Sequence, residues 1–126
     1  MDRILLIHPN PKAATDLTLF LQHSGFQVVT AVDGQQALAE ISGTKPEVIV
    51  IAEVLAEING DKLCMRIREM CETPIIVLGE DKEERAGIHF LESGADAYVP
   101  SPLNVRLLLA RVHSLLRRSK RENSDV

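Results

Sequence analysis

The fold class that the sequence predicts is α/β: one five-stranded parallel sheet with helices on both faces. Three observations carry it. Unbroken β-branched and leucine runs recur at Ile4-Leu5-Leu6-Ile7, Val48-Ile49-Val50-Ile51 and Ile75-Ile76-Val77-Leu78, as in strands buried on both faces. Segments of helical period lie between them, joined by short connections, and that alternation favours parallel strands. A chain of 126 residues, 45% of them hydrophobic, suffices for one core and is too short for two.

The elements follow in order. After the first run, Asn10 can cap a helix with Pro11 at its first position, where a missing N–H costs nothing. That helix buries Ala14, Leu17, Phe20 and Leu21 and stops at Ser24-Gly25. Phe26-Gln27-Val28-Val29-Thr30-Ala31 is a weaker strand, as expected nearer a sheet edge. Asp33-Gly34 opens a second helix through Ala37, Leu38 and Ile41, closed by Gly43. A third helix runs from about Asp61 to Cys71 with Leu63, Ile67 and Met70 inward, and stops before Pro74. A fourth starts in the acidic run Glu80, Asp81, Glu83, Glu84, which suits a positive helix N-terminus, and ends at Ser93-Gly94. Ala97-Tyr98-Val99 is the fifth strand. The last helix, from about Leu103 to Ser119, aligns Val105, Leu108, Leu109, Val112, Leu115 and Leu116 on one stripe, with Arg117 and Arg118 at its C-terminal end.

Composition narrows the function classes. The formal charge of −4 supplies no general attraction for nucleic acid or an anionic membrane. Residues 1–116 carry a net −6 and residues 117–126 a net +2, so a basic tail follows an acidic body. No stretch reaches the roughly 20 apolar residues of a membrane span, and no signal-peptide pattern opens the chain; a cytoplasmic location is expected. Cys64 and Cys71 lie seven apart on a helical segment, roughly 10 Å by helical rise, which is beyond disulfide reach. Both are expected as buried thiols. His8, His23, His89 and His113 show no short metal-ligand spacing. A metal site would have to combine distant residues, such as His8 with Glu53, Glu57, Glu80 or Asp81, and these carboxylates are better explained by loop solvation and helix capping. No glycine-rich phosphate loop, nucleophile elbow or carboxylate pair stands at a strand end, so no enzyme is expected.

In parallel sheets of this kind, function gathers at the carboxyl ends of the strands, where strand order reverses. Those ends carry a family pattern. The chain has Ile4-Leu5-Leu6-Ile7 with Pro11, Ala31-Val32-Asp33-Gly34 with Ala37-Leu38, Pro46-Glu47-Val48-Ile49-Val50-Ile51 and Asn59-Gly60. It continues with Thr73-Pro74-Ile75-Ile76-Val77-Leu78, Gly94-Ala95-Asp96-Ala97-Tyr98, and Pro102 leading to Leu108-Leu109-Ala110-Arg111-Val112. This ordered set resembles the receiver domain of two-component response regulators over about residues 2–119. The resemblance implies a flavodoxin-like, doubly wound (βα)5 fold with strand order 2-1-3-4-5. It also implies a receiver domain over 1–119, followed by a basic and polar tail, 120–126, that begins a linker to a missing effector domain.

Receivers take a phosphoryl group from a phosphohistidine onto an aspartate, with Mg²⁺ held by that aspartate and an acidic pair after the first strand. Aligned to this pattern, the chemical positions are degenerate. The acid pair falls on His8 and Pro9. The phosphoacceptor falls on Ala52, six residues after Pro46 and eight before Gly60, and a methyl group accepts no phosphoryl. Glu53 is one step further along the strand, so strand alternation predicts that it points away from the site. The hydroxyl residue that binds the phosphoryl oxygen is replaced by Gly79, and the ion-pairing lysine by Ser101. Mg²⁺ binding is therefore not expected, and no cofactor is. Ser101-Pro102 matches the family's cis X-Pro turn. Tyr98 matches its switch aromatic. Tyr98 is expected either as an edge-strand side chain packed on the fourth helix or inward, in the room that Gly79 leaves.

The remaining working surface is that of the fourth helix, fifth strand and fifth helix, the dimer face of winged-helix response regulators, whose receiver end the segment 109–118 resembles. Ile88, Leu91 and Ala110 keep its patch apolar, and Leu107 adds to it. Gly87 and Leu107 stand where charged partners are usual, and Ala97 replaces an aspartate that would pair with Arg111. A homodimer through this face would lean on apolar contact, since surface ion pairs are worth little. The basic run Arg117, Arg118, Lys120, Arg121 is expected as a solvated helix end leading into the linker, with no direct nucleic-acid contact. The expected function is an atypical, unphosphorylated receiver that regulates or dimerises an attached DNA-binding transcription factor. The alternative is a stand-alone adaptor that binds a protein partner or small ligand.

Overall fold

The computed structural model describes residues 1–55, 58–82 and 84–124. Five strands, β1 (Arg3–Ile7), β2 (Gln27–Ala31), β3 (Val48–Ala52), β4 (Ile75–Leu78) and β5 (Ala97–Val99), form one parallel sheet in the order β2-β1-β3-β4-β5. The helices are α1 (Pro11–His23), α2 (Gly34–Thr44), α3 (Gly60–Met70), α4 (Ile88–Glu92) and α5 (Val105–Ser124), with a 3₁₀ turn, Glu84–Gly87, leading into α4. This is the doubly wound arrangement that the sequence predicts.

Strand alternation divides the core in two. Ile4, Leu6, Val48, Val50, Ile76 and Leu78 face α1 and α5, where they meet Leu17, Leu21, Leu108, Val112, Leu115 and Leu116. Leu5, Ile7, Ile49, Ile51, Ile75 and Val77 face the other way, onto Ala37 and Ile41 of α2 and Leu63, Cys64 and Ile67 of α3. Every residue of β3 and β4 is buried, which is why those segments are apolar without interruption. Burial of each such side chain stabilises by roughly 1.5–3 kcal/mol.

Local end signals act largely as expected. Asn10 Oδ1 accepts from the N–H groups of Lys12 and Ala13, and Asp33 Oδ1 accepts from Gln36. Several boundaries differ. α2 runs through Gly43 and ends at Lys45, which takes the left-handed conformation (φ 48°). Met70 is exposed rather than inward, because the chain turns extended at Cys71, which packs against the core and is only part-buried. Val105 opens α5 ahead of the region over the sheet and is exposed. α5 continues to Ser124, past the expected end at Ser119.

The largest difference is at α4. The acidic run begins no regular helix, and α4 itself has five residues. Asp81 bonds elsewhere: its carbonyl accepts from Ser101 N–H at 2.9 Å and its N–H donates to Tyr98 Oη at 3.4 Å. Those bonds hold residue 81 toward β5 and out of a helical ladder. Glu83 lies outside the described residues.

On the edge of the sheet away from the strand ends, Arg68 ties four segments together. Its guanidinium donates to the carbonyls of Gly94, Thr73 and Cys71 and to Asp96 Oδ2 at 2.6 Å. Asp96 Oδ2 also accepts from Ile75 N–H at 2.8 Å, and Asp96 Oδ1 lies 3.4 Å from Arg118 of α5. One half-buried carboxylate thereby fixes where β4 and β5 begin, and with them the heights of Gly79 and Tyr98 at the opposite end.

Candidate functional site at the strand ends

Strand order reverses between β1 and β3, so the crevice to inspect lies beyond Ile7 and Ala52. His8 follows β1, and its N–H extends the ladder to the Ala31 carbonyl at 3.0 Å. The imidazole Nδ1 accepts from the Asn10 N–H at 3.1 Å, so the ring turns back on the β1–α1 corner. It lines a groove with Pro11, Ala14, Thr18 and Val32, between α1 and the end of β2. Burial pushes its pKa below the ordinary histidine value, partly opposed by the charge of Glu80. That direction favours the neutral imidazole, the form in which Nδ1 can accept. Pro9 is exposed beside it.

Ala52 ends β3 in register with Leu78 and is buried. Glu53 corrects the sequence reading. It does not point away: its carboxylate accepts a 2.9 Å hydrogen bond from the Tyr98 hydroxyl, and with Glu80, Asp81 and Lys82 it lines the mouth beyond β3 and β4. The alternation rule applies to a continuing strand, and β3 stops at Ala52. Glu53 N–H still donates to the Leu78 carbonyl at 2.9 Å, but its own carbonyl accepts from Gly60 N–H at 3.0 Å, which bends the chain. Gly60 is required for that approach, since a Cβ there would stand 2.8 Å from the Glu53 carbonyl oxygen. Glu57 lies outside the described residues.

Tyr98 is part-buried at this end of the fold. A Cβ placed on Gly79 would lie 2.1 Å from both Cζ and Oη of Tyr98, and one placed on Gly87 would lie 2.6 Å from its Cβ and Cγ. The ring thus runs from Gly87 to Gly79 and fills the space that any other residue at 79 would use. Phe90 of α4 stacks on it at 5.6 Å with an interplanar angle of 21°. The packing on the fourth helix that the sequence suggests is present, and the hydroxyl reaches past Gly79 to Glu53. Burial first, and then the bond to Glu53, push its hydroxyl up to about 12. Ser101 N–H is bound to Asp81, and the Ser101-Pro102 peptide bond is cis.

The α4, β5 and α5 surface adjoins the same ring. Leu91, Asp96, Ala97, Tyr98, Arg111 and Leu115 line a groove between the two helices. Ile88 and Leu91 are exposed on α4, Ala110 and Arg111 are exposed on α5, and Leu107 is part-buried against the core. α4 is also fixed from the other side, by a 2.6 Å contact from His89 Nε2 to Asp61 Oδ2 of α3, which lowers the Asp61 pKa. Sequence reasoning missed the roles of Glu53 and Gly87. Gly87 offered a signal, because inside the helix that the sequence predicts from the acidic run to Ser93 a glycine costs about 1 kcal/mol against alanine and so asks for a packing reason.

Among the described residues no helix is long and apolar enough to cross a membrane. Comparison with known proteins gives consistent results. The family model described as "Response regulator receiver domain" matches residues 4–113. The transcriptional regulatory protein AfsQ1 of Streptomyces coelicolor is 38% identical over 125 residues, 99% of this chain and 56% of that protein. The alkaline phosphatase synthesis transcriptional regulatory protein PhoP of Bacillus subtilis is 35% identical over 94% of this chain and 50% of its own length. A crystal structure of a two-component response regulator from Clostridium difficile superposes with a TM-score of 0.88 at 29% identity, covering 94% of this chain and 98% of that one. The chain spans about half the length of the curated relatives it matches.

Proposed function

The chain belongs to the response-regulator receiver family, and on that premise we propose that it is a receiver that works without aspartyl phosphorylation and regulates or dimerises an attached DNA-binding effector. The observation that carries this reading is Ala52, a buried methyl group at the end of β3 where the family places its nucleophile. The surrounding positions support it. His8 turns its Nδ1 to Asn10, Pro9 offers no side-chain oxygen, and Gly79 offers no hydroxyl. The family's metal positions, His8, Pro9 and Ala52, offer no side-chain oxygen to Mg²⁺, a hard ion that prefers oxygen ligands; of the carboxylates that line the mouth, Glu53 is engaged by Tyr98, and Glu80 and Asp81 are exposed on the far side. Phosphoryl transfer depends on positioning and electrostatics, and these positions provide neither nucleophile nor charge. The relatives that are transcriptional regulators, about twice as long as this chain, support an effector beyond the receiver. No catalytic turnover by this domain is part of the reading.

The test is incubation with acetyl phosphate and Mg²⁺, followed promptly by intact-mass measurement near neutral pH. An unchanged mass is expected, and addition of one phosphoryl group overturns the reading. Self-association through Ile88, Leu91, Leu107, Ala110 and Arg111 is tested by analytical ultracentrifugation without donor. A dimer that Leu91→Arg dissociates is expected; a monomer at high micromolar concentration removes dimerisation by this domain alone.

A further inference from the structure

We propose that the C-terminal part of α5 is a rigid arm: ion pairs from Arg118 to Asp96 and from Lys120 to Asp2 hold the helix from both flanks against the starting edge of the sheet, so that the chain leaves the domain in one fixed direction and not through a flexible linker.

The sequence suggests a linker from residue 120, and the helix instead continues to Ser124. From Leu116, the last buried side chain among the described residues of α5, to Ser124 the helix advances about 12 Å at a rise of about 1.5 Å per residue. Two turns of helix do not hold themselves in water, so their order asks for tertiary contacts.

Those contacts lie on two sides. Residues two apart on a helix project about 200° from each other. Arg118 and Lys120 therefore leave α5 on opposite flanks, with the core-facing stripe of Leu108, Val112, Leu115 and Leu116 between them. Arg118 Nη2 lies 3.4 Å from Asp96 Oδ1, just before β5, and Lys120 Nζ lies 3.1 Å from Asp2 Oδ2, just before β1. β3 and β4 separate those two strands, an interval of roughly 14 Å at the usual strand spacing. The helix end bridges it: Ser119, Lys120 and Glu122 border a depression with Pro46, Glu47 and Pro74, which lead into β3 and β4. α5 thus passes the starts of four strands and is tied at the first and the last of them.

Both anchors are themselves fixed. Asp96 Oδ2 accepts from Arg68 at 2.6 Å and from Ile75 N–H at 2.8 Å, and the Asp2 carbonyl accepts from Gln27 N–H at 3.0 Å. Their side chains are 24% and 27% exposed, against 61% and 66% for Arg118 and Lys120. An exposed ion pair adds little to global stability, but two pairs on held carboxylates, one per flank, restrict the direction of the helix. That an effector is what the arm carries rests on the receiver reading above; the arm itself does not.

The test uses this chain in solution. The heteronuclear ¹H–¹⁵N NOE of residues 117–122 should equal that of α1, and trypsin should cut slowly after Lys120 and Arg121. In the double variant Asp2→Asn with Arg118→Gln, the NOE from residue 118 onward should fall to that of a flexible tail and cleavage should quicken several-fold, with the NOE of the five strands unchanged. A native chain with tail-like NOE from residue 118 overturns the proposal. So does a double variant as rigid as the native chain. If that variant also loosens β1, Arg118→Gln with Lys120→Gln removes the same pairs from the helix side, and an unchanged NOE there overturns the proposal. Phosphoryl uptake with a rigid helix end would defeat the functional reading alone; a flexible end without uptake would defeat the arm alone.

Discussion

The Tyr98 hydroxyl donates to the Glu53 carboxylate across 2.9 Å, although the two residues stand 45 positions apart, Glu53 just beyond β3 and Tyr98 on β5, with β4 between those strands. The bond crosses over Gly79, which follows β4 and has no side chain to block it. An acid beyond β3 and an aromatic on the edge strand are thereby joined through a missing side chain between them.

That relationship sets the alkaline behaviour. With its pKa pushed up to about 12 by burial and by Glu53, Tyr98 should ionise well above the ordinary value of about 10, as read by phenolate absorbance. The protonated phenol favours the folded state fully below about pH 10, and that contribution fades as pH rises toward 12, since the unfolded chain loses its proton first. Glu53→Gln should move the titration downward. A wild-type transition near 10 in folded protein would contradict the enclosed ring.

Reinstating the nucleophile alone should not reinstate phosphorylation. Ala52→Asp leaves His8, Pro9, Gly79 and Ser101 in place, so acetyl phosphate should still add no mass. It also puts a carboxylate into a buried position close to Glu53, with an expected loss of about 1–3 kcal/mol in urea unfolding. Phosphoryl uptake by this single variant would show that the other four positions matter less than the geometry implies.

The Asp96 cluster should be worth more than its charges suggest. Arg68→Ala removes donors to Asp96 and to three carbonyls and should cost about 2–3 kcal/mol, as for a part-buried ion pair that loses one partner. Arg118→Ala touches the same carboxylate from an exposed position and should cost about 0–1 kcal/mol. Urea midpoints of the two variants test the ranking; equal losses would contradict it.

The two thiols should separate kinetically. Cys64 is fully buried, and burial pushes its thiol up to about 12, whereas Cys71 is part-exposed at the end of α3. Native protein should therefore release one equivalent with a thiol-exchange reagent readily and the second only as it unfolds. Fast reaction of both would show that α3 opens from the sheet.

The fold was legible because its evidence is local. Apolar runs of strand length, Asn10 and Asp33 as caps, and the alternation of strand and helix all act within a few residues. Position 52 could likewise be counted from Pro46 and Gly60. Boundaries that tertiary contacts decide were not legible: α4 is short because Asp81 bonds to Ser101 and Tyr98, and Met70 is exposed because the chain turns extended at Cys71.

By itself the sequence determined the (βα)5 arrangement, the two-faced core and the residue types at 8, 9, 52, 79 and 101, since these depend on residue type and order along the chain. Only the tertiary structure decided where Glu53 and Tyr98 point. Alternation predicts direction only while a strand continues, and β3 ends at Ala52. The ring's position depends on volumes left empty at Gly79 and Gly87, on two elements distant in sequence, and such volumes exist only after the sheet and α4 have packed.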